Sequence, residues 1–360
     1  MSYYILLFLV LLIYAYIYDG FVFNENISYV RIGKLYTYLL LLFVIFFTGL
    51  RIPGIDHDYN TYISWLSGDK KNFIAYILQG KDIGFLSLYK LVTFLSNNLA
   101  LFFIIIAAIS VIAKYTFCKL AFDNKFVGIL VLLVFSRLYL TQEFTQVRVA
   151  IAMGIASCAV LYWYNNKKKI SIVLMLTGLT FHLSVIIIPL FFIIYNYCSF
   201  LKKRYVLFFI PLIAYFLSPL CIEAMHLIGS GRIEVYIDGS YHTTKLSVFS
   251  TYYLIRLFIF YFILAFVFND INEKEKIFVY FLACSLFLQV IFSWNDVFSL
   301  RFTEVLGLFD LSALILPLKY LSRKFKLVYF LFIVLFSFVF FYSSLKIVQP
   351  YDNYIMLMLK

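Results

Sequence analysis

Apolar runs of about 17–20 residues recur along the whole chain, with short polar segments between them. A helix of this length crosses the hydrocarbon core of a bilayer, where every backbone polar group must be bonded internally. The pattern therefore predicts an all-α, polytopic membrane protein with about 11–13 transmembrane helices. The predicted spans are 2–18, 35–50, 98–114, 126–142, 147–164, 170–182, 183–200, 205–222, 250–268, 277–293, 303–318 and 327–345.

Residues 83–96 form an amphipathic stretch that contains Lys90, which indicates a short interfacial or re-entrant helix. Every polar stretch is too short to fold as a soluble domain. We therefore expect residues 1–360 to form a single transmembrane domain with external loops at 51–82 and 223–249.

Composition agrees with this pattern, since 64% of the residues are hydrophobic and only 13% are charged. The net charge of +12 arises from basic residues clustered in short loops, as the positive-inside rule describes, and so it does not indicate nucleic-acid binding. The clusters that we place on the cytoplasmic side are Lys114/Lys119/Lys125, Lys167–Lys169, Lys202–Arg204 and Lys319/Arg323/Lys324/Lys326.

Two of these clusters flank residues 170–201, which raises a question of topology. A single crossing would put the clusters on opposite sides of the membrane, whereas two crossings need a break near Phe181-His182. We favour the break, because His182 and Ser184 lie at the middle of the run. One tilted helix with inverted later topology is the alternative.

The segment 48–62 contains several charged and polar residues at the point where an apolar run ends. Arg51 offers a permanently charged fork for phosphate or carboxylate, Pro53-Gly54 form a turn, and Asp56 and Asp58 supply carboxylates. In the plainer interpretation Arg51 extends to lipid headgroups and the aspartates cap the next helix.

A second polar cluster covers residues 137–148. Gln142 and Gln146 are four positions apart and would share one face of an α-helix. Arg148 enters an apolar run, where it needs an anionic partner or water. Either phosphate recognition or a structural pair with Glu143 or Glu304 meets that need.

His182 is either a satisfied core histidine, or a group that donates to a phosphate or accepts a proton. Arg301 lies in a third polar cluster, residues 294–304, and we place it on the same membrane face as Arg51 and Arg148. The loop 223–249, which contains Arg232, either covers a site or is a solvated hairpin.

Three arginines and one histidine on one face suit an anionic group such as a lipid-linked diphosphate. The chain has no P-loop, no glycine-rich nucleotide fingerprint, no metal-ligand spacing and no Asp-x-Asp. Its five cysteines show no paired spacing. We therefore expect no cofactor, no metal and no ATP coupling.

The order of these blocks resembles that of the EpsG-like, Wzy-type polysaccharide polymerases. The matching blocks are Gly49-Leu50-Arg51…Gly54…Asp56-His57-Asp58-Tyr59…Tyr62, Gln142…Gln146-Val147-Arg148…Ala152, Thr180-Phe181-His182-Leu183-Ser184 and Arg301-Phe302. The resemblance covers most of the chain. It implies a GT-C-like helical enzyme of the bacterial inner membrane that joins oligosaccharide repeat units of O-antigen or capsule at the periplasmic face.

The resemblance also implies substrates and roles. The donor would be a growing glycan on undecaprenyl diphosphate, and the acceptor a single lipid-linked repeat unit, with membrane lipids, a chain-length regulator and a flippase as further partners. Arg51, Arg148 and Arg301 would hold the diphosphate leaving group. Asp56 or His182 would take the acceptor proton. The other residues expected to contact substrate are Tyr59, Gln142, Gln146 and Arg232.

Two other functions are alternatives. An O-antigen ligase would use similar arginine and histidine chemistry on the same face. A flippase or transporter of lipid-linked glycans would place charges through the membrane depth, often in repeated halves. The expected gathering of charge on one face, and the lack of an evident repeat, favour the polymerase.

Overall fold

A computed structural model describes residues 2–19, 29–56, 58–67, 82–96, 98–228 and 244–354 of the chain. The described segments are helices and connecting turns, and they contain no β-strand beyond an isolated bridge between Arg51 and Asn353. In chain order the helices are α1 Ser2–Asp19, α2 Tyr29–Gly49, α3 Tyr59–Ser67, α4 Ile83–Leu95, α5 Leu99–Ala121, α6 Val127–Val134, α7 Val147–Tyr164, α8 Lys168–Phe181, α9 Ile187–Tyr197, α10 Arg204–Ile228, α11 Thr251–Phe262, α12 Glu273–Ile291, α13 Asp296–Val305, α14 Gly307–Tyr320 and α15 Arg323–Ser344.

Six helical segments in the described part of the chain are individually long and apolar enough to cross a membrane. Shorter apolar helices occur at Leu35–Gly49, Ile83–Leu95, Leu183–Tyr197 and Thr251–Val267. The prediction of an all-α, multi-pass membrane protein is therefore confirmed. The larger count of about 11–13 spans stays a prediction.

The helices divide into two compact units. The first unit comprises Met1–Ile186 and Arg323–Lys360, and the second comprises Ile187–Ser322. The prediction of a single transmembrane domain stays a prediction beside this division.

The first unit is built around the segment Val127–Thr145. Of the 18 most apolar consecutive residues in this segment, 94% are buried. This segment begins as α6 and continues as a π-helix over Phe135–Thr145. Most of the π-helical residues are buried although many are polar, so their polar groups need partners inside the protein. The neighbouring helices supply those partners.

A buried ion pair joins the π-helix to α5. The ammonium of Lys114 lies 2.5 Å from Oε1 of Glu143 and 2.8 Å from Oε1 of Gln142, and the Ser110 hydroxyl donates to Glu143. Lys114 is 1% exposed, so its assignment to a cytoplasmic loop cluster is wrong. The apolar residues on both sides of Lys114 belong to the buried part of α5. Lys119 and Lys125 are exposed, as expected.

The break near His182 is confirmed. Helix α8 ends at Phe181, His182 is extended with φ −163° and ψ 126°, and a 3-10 turn over Leu183–Ile186 follows. The apolar run is thus interrupted at its polar residues, where the imidazole of His182 and the hydroxyl of Ser184 bond each other locally.

The second unit packs around α12, nearly every residue of which is buried. Its interior contains a second charged pair, Arg256 with Asp310. Ser285 lies 2.5 Å and Gln289 2.8 Å from the guanidinium nitrogens, so the arginine is bonded on several sides. Sequence reasoning did not single out this cluster, because Arg256 and Asp310 are far apart in the chain.

Three predicted boundaries need correction. Residues 59–67 form a helix within the predicted external loop 51–82, because Asp56 caps its first turn. Helix α10 continues to Ile228, beyond the predicted end at 222. The predicted span 303–318 is two helices, α13 and α14, and the first begins at Asp296 with Asn295 as its capping residue.

The buried pair of Lys114 and Glu143 generates a stability prediction. Replacing Lys114 with Met leaves the Glu143 carboxylate buried without its cation, and such a loss costs about 3–5 kcal/mol. We expect a lower thermal midpoint for Lys114→Met in fluorescence-detected gel filtration, and recovery when Glu143→Gln is added. Lys119→Met on the same helix is the matched exposed control, and an equal loss in both single variants would contradict the prediction.

Candidate functional site

The segment 48–62 folds around the guanidinium of Arg51, which is fully buried. Its Nε donates to Oδ2 of Asp56 at 2.9 Å, Nη1 to the carbonyl of Thr48 at 2.9 Å, and Nη2 to the carbonyl of Phe144 at 2.9 Å. The planar fork of arginine suits three separate acceptors in this way. Arg51 therefore lies inside the protein rather than at the headgroups.

Aromatic rings complete the surroundings of Arg51. The rings of Tyr59, Phe103 and Phe144 each have their centroid 5.1–5.2 Å from the guanidinium carbon. At that distance the ring faces attract the cation, and they exclude water from it. Tyr59, which we expected to contact substrate, is buried and is part of this enclosure.

The carboxylate of Asp56 is likewise bonded inside the protein. Its Oδ2 accepts from Arg51, and its Oδ1 accepts from the backbone N–H groups of Asp58 at 3.0 Å and Tyr59 at 2.8 Å. The carboxylate thus pairs with the arginine and caps α3 at once. Both oxygens are engaged and the side chain is sealed from solvent, which suits a structural role better than the predicted proton transfer.

Residues 349–354 close over this segment. Backbone bonds run from Gln349 N–H to the Ile55 carbonyl at 2.9 Å and from Tyr354 N–H to the Leu50 carbonyl at 3.0 Å. The Tyr351 ring stacks on Phe47 with centroids 4.0 Å apart. Gly54 allows the intervening turn, since its φ of +92° disfavours other residues.

Arg51 and Tyr62 both bond the end of the π-helix. Nη2 of Arg51 reaches the Phe144 carbonyl, and the Tyr62 hydroxyl donates to the Thr145 carbonyl at 2.9 Å. These carbonyls belong to the last turn of a helix, where intrahelical partners run out. The Arg51 segment therefore holds the point at which the π-helix stops and α7 begins.

Arg148 lies in the first turn of α7, just beyond that point. Its Nη1 pairs with Oδ2 of Asp82, and its guanidinium carbon lies 5.7 Å from the centroid of the Tyr62 ring. The expectation of a structural pair with Glu143 is wrong, because Glu143 pairs with Lys114. Burial raises the pKa of Tyr62 to about 12, and the charge of Arg148 acts in the opposite direction.

The Arg148–Asp82 pair is more exposed than the other ion pairs inside the protein. The side chains of Arg148 and Asp82 are 21% and 14% exposed, whereas no member of the pairs Arg51–Asp56, Lys114–Glu143 and Arg256–Asp310 exceeds 2%. An outside anion could therefore reach Arg148 far more readily than the buried cations.

His182 lies at the same end of the helices as Arg148. A Cβ on Gly178 in α8 would come within 3.1 Å of the Ala152 carbonyl, one turn after Arg148 in α7. A Cβ on Gly84, two residues after Asp82, would collide with Thr180, two residues before His182. The glycines thus let three helix ends meet, and these ends carry Asp82, Arg148 and His182.

The local bonds of His182 define the hydrogen-bonding state of its ring. Nδ1 lies 3.1 Å from the backbone N–H of Ser184, which can only donate, and 2.8 Å from the Ser184 hydroxyl. A neutral imidazole that accepts at Nδ1 carries its proton on Nε2. In this state Nε2 is a hydrogen-bond donor.

The two glutamines do not lie in one α-helix, so the α-helical spacing that we expected for them is wrong. Gln142 is buried in the π-helix against Lys114 and Met153. Gln146 lies beyond the last π turn, and its N–H bonds the Thr141 carbonyl at 3.2 Å across five residues. The α-helical spacing that we assumed does not apply where the turn is wider.

The remaining predicted residues fall elsewhere. Arg301 is exposed in the middle of α13, and Glu304 is buried in the same helix of the second unit. Arg232 and His57 lie outside the described residues. Within the described ranges, no group of three His, Cys, Asp or Glu side chains is placed to hold a metal ion, and metal independence stays a prediction.

Sequence reasoning missed Asp82, which the structure brings to Arg148. The residue precedes an amphipathic helix, and a polar residue at that position is usually a cap, so its identity alone did not distinguish it. The stronger signal was Arg148 itself. A cation inside an apolar run needs an anionic partner, and Asp82 is one of the carboxylates that could supply it.

Comparison with known proteins yields one match. The family model described as the EpsG family matches residues 34–356, which is nearly the whole chain. No curated protein and no solved structure gives a significant match, so the expected GT-C likeness stays a prediction. The matched range includes the Arg51 segment, the π-helix, Arg148 and the break at His182, and on this match the chain belongs to the EpsG family.

Proposed function

We propose that this protein is a polysaccharide polymerase that transfers a glycan from undecaprenyl diphosphate to a lipid-linked repeat unit. Membership of the EpsG family supports a polymerase-like activity. The observation that carries the more specific proposal is the partly exposed Arg148 at the start of α7, where three helix ends meet.

Arg148 is the proposed anchor of the diphosphate. Guanidinium groups bind phosphate oxygens through two parallel hydrogen bonds, and such charge-assisted bonds are among the strongest in proteins. The cation lies close to the Tyr62 ring and is partly shielded from water, which strengthens its attraction for an anion. Negative charge grows on the diphosphate as the glycosidic bond breaks, so Arg148 stabilises the transition state more than the bound substrate.

His182 is proposed as a second donor to the leaving group. Because Nδ1 accepts from Ser184, the proposed donor to a phosphate oxygen is Nε2–H. We choose the donor role for His182 over the acceptor role, because a ring nitrogen that already carries a proton cannot accept another. The proposal places the donor and acceptor glycans side by side at this end of the helices.

Arg51 and Asp56 are positioning residues in this proposal. Together with Tyr59 they hold the end of the π-helix, just before the α7 turn that carries Arg148, and Gln142 stabilises the same π-helix through Lys114. Arg301 and Gln146 are retained as proposed contacts of the lipid-linked substrates, and so is Arg232. We further propose the bacterial inner membrane, with chemistry at its periplasmic face, and a chain-length regulator and a flippase as partners.

The decisive substitution is Arg148→Ala. We expect it to abolish polymer, because the diphosphate loses its anchor, while the protein remains in the membrane. The measurement is a gel of surface polysaccharide from a deletion strain complemented with each variant. Wild type should restore a ladder, and Arg148→Ala should leave a single repeat unit.

Arg204→Ala, at the exposed start of α10, is the matched arginine control and should restore the ladder. A normal ladder from Arg148→Ala would overturn the assigned site. Complete loss of surface glycan in the deletion strain, rather than a single unit, would favour a ligase or a flippase.

The buried position of Arg51 yields a separate prediction. Arg51→Met leaves Asp56 as an unpaired buried carboxylate and frees two carbonyls, at a cost of about 3–5 kcal/mol. We expect a lower thermal midpoint and less folded protein for Arg51→Met than for Arg148→Ala in gel filtration of tagged protein. Equal stability of the two variants would show that Arg51 does not have the positioning role.

A further inference from the structure

We infer that Asp82 is the proton acceptor of this site: the diphosphate displaces it from Arg148, and the freed carboxylate then takes the proton of the acceptor hydroxyl. The inference rests on the proposed function, since it requires a diphosphate at Arg148. It adds a catalytic residue, and it specifies how substrate binding makes that residue available.

The placement of Asp82 is the first reason. The residue occupies the N-cap position of α4, where an aspartate normally accepts from the first backbone N–H groups of the helix. Its side chain makes no such bond and is directed to Nη1 of Arg148 instead. The carboxylate is therefore held by the one group that the substrate would take, and not by the helix it precedes.

Asp56, His182 and Glu143, three other candidate groups of the first unit, are already engaged. Both oxygens of Asp56 are bonded within a sealed enclosure, and His182 carries its ring proton on the nitrogen that could face a substrate. Glu143 is buried beside Lys114. Asp82, at 14% exposure, combines a carboxylate with access from outside.

The exchange has a simple electrostatic basis. A cation at the edge of an apolar region needs an anion at all times, and Asp82 supplies it while no substrate is bound. A diphosphate carries more negative charge and offers several oxygens, so it competes well for the guanidinium. Once it binds, Asp82 loses its ion pair with Arg148, and its carboxylate can accept from the acceptor hydroxyl.

Bonds and protons balance in the transfer. The acceptor hydroxyl oxygen forms a bond to the anomeric carbon of the donor glycan while its proton moves to Asp82. The bond between that carbon and the diphosphate oxygen breaks, and its electron pair leaves with the diphosphate on Arg148. After release of the lipid diphosphate, Asp82 gives the proton to water and pairs with Arg148 again.

The test uses the full chain in lipid nanodiscs and the variant Asp82→Asn, which keeps the shape of the side chain. Binding is measured by titration with undecaprenyl diphosphate, and turnover by the ladder formed from purified lipid-linked repeat units. Because competition for Arg148 is removed, we expect a dissociation constant about two- to fivefold lower. Because the base is lost, we expect polymer formation to fall by about 100-fold or more.

Asp123→Asn is the matched control, on an exposed turn after α5 at a φ of +53° that asparagine tolerates, and it should resemble wild type in both assays. Asp82→Glu should retain part of the turnover, since it restores a carboxylate. Unchanged or weaker binding by Asp82→Asn, or undiminished polymer, overturns the inference. A purely structural pair would instead lower binding and turnover together.

Arg148→Ala, titrated in the same way, separates failure of the proposed function from failure of the Asp82 role. If Arg148→Ala binds undecaprenyl diphosphate as wild type does, the proposed function of Arg148 fails. If Arg148→Ala loses binding while Asp82→Asn shows no gain, only the role of Asp82 is overturned.

Discussion

The enclosure of the Arg51 guanidinium is the interaction on which the rest of the first unit depends. A buried cation is costly unless each of its donors has an acceptor, and Arg51 meets that condition by drawing together Asp56 and the carbonyls of Thr48 and Phe144. Two of these acceptors lie within five residues of Arg51, while Phe144 is 93 positions away. The arginine therefore connects a local turn to the end of a π-helix, and the geometry of Arg148 follows from that connection.

Much of the fold was predictable because transmembrane helices appear in the sequence as long apolar runs. The break at His182 was predictable as well, since a polar side chain at the centre of an apolar run is costly unless the helix is interrupted there. The predictions failed where partners meet across helices. Lys114 looked like a loop charge because its partner Glu143 is 29 positions away, and Asp82 was overlooked for the same reason.

The π-helix explains a further error. We assumed α-helical spacing between Gln142 and Gln146, and that assumption fails when each turn takes in an extra residue. No residue type encodes a π-helix of this length. Its wider turns are stabilised by tertiary partners, here Lys114, Arg51 and Tyr62, and so they could be recognised only after those partners were placed.

The closure of residues 349–354 over the Arg51 segment has a consequence for biosynthesis. Tyr351 bonds the carbonyl of Phe47 across 304 positions, and Gln349 and Tyr354 bond backbone groups on either side of Arg51. A ribosome delivers residues 47–55 to the membrane long before it has made their partners. The first helices are therefore in the bilayer before the contacts that residues 349–354 make with this segment can form. A chain that ends before residue 349 would be inserted without a complete Arg51 enclosure. We expect membrane proteases to degrade such a chain.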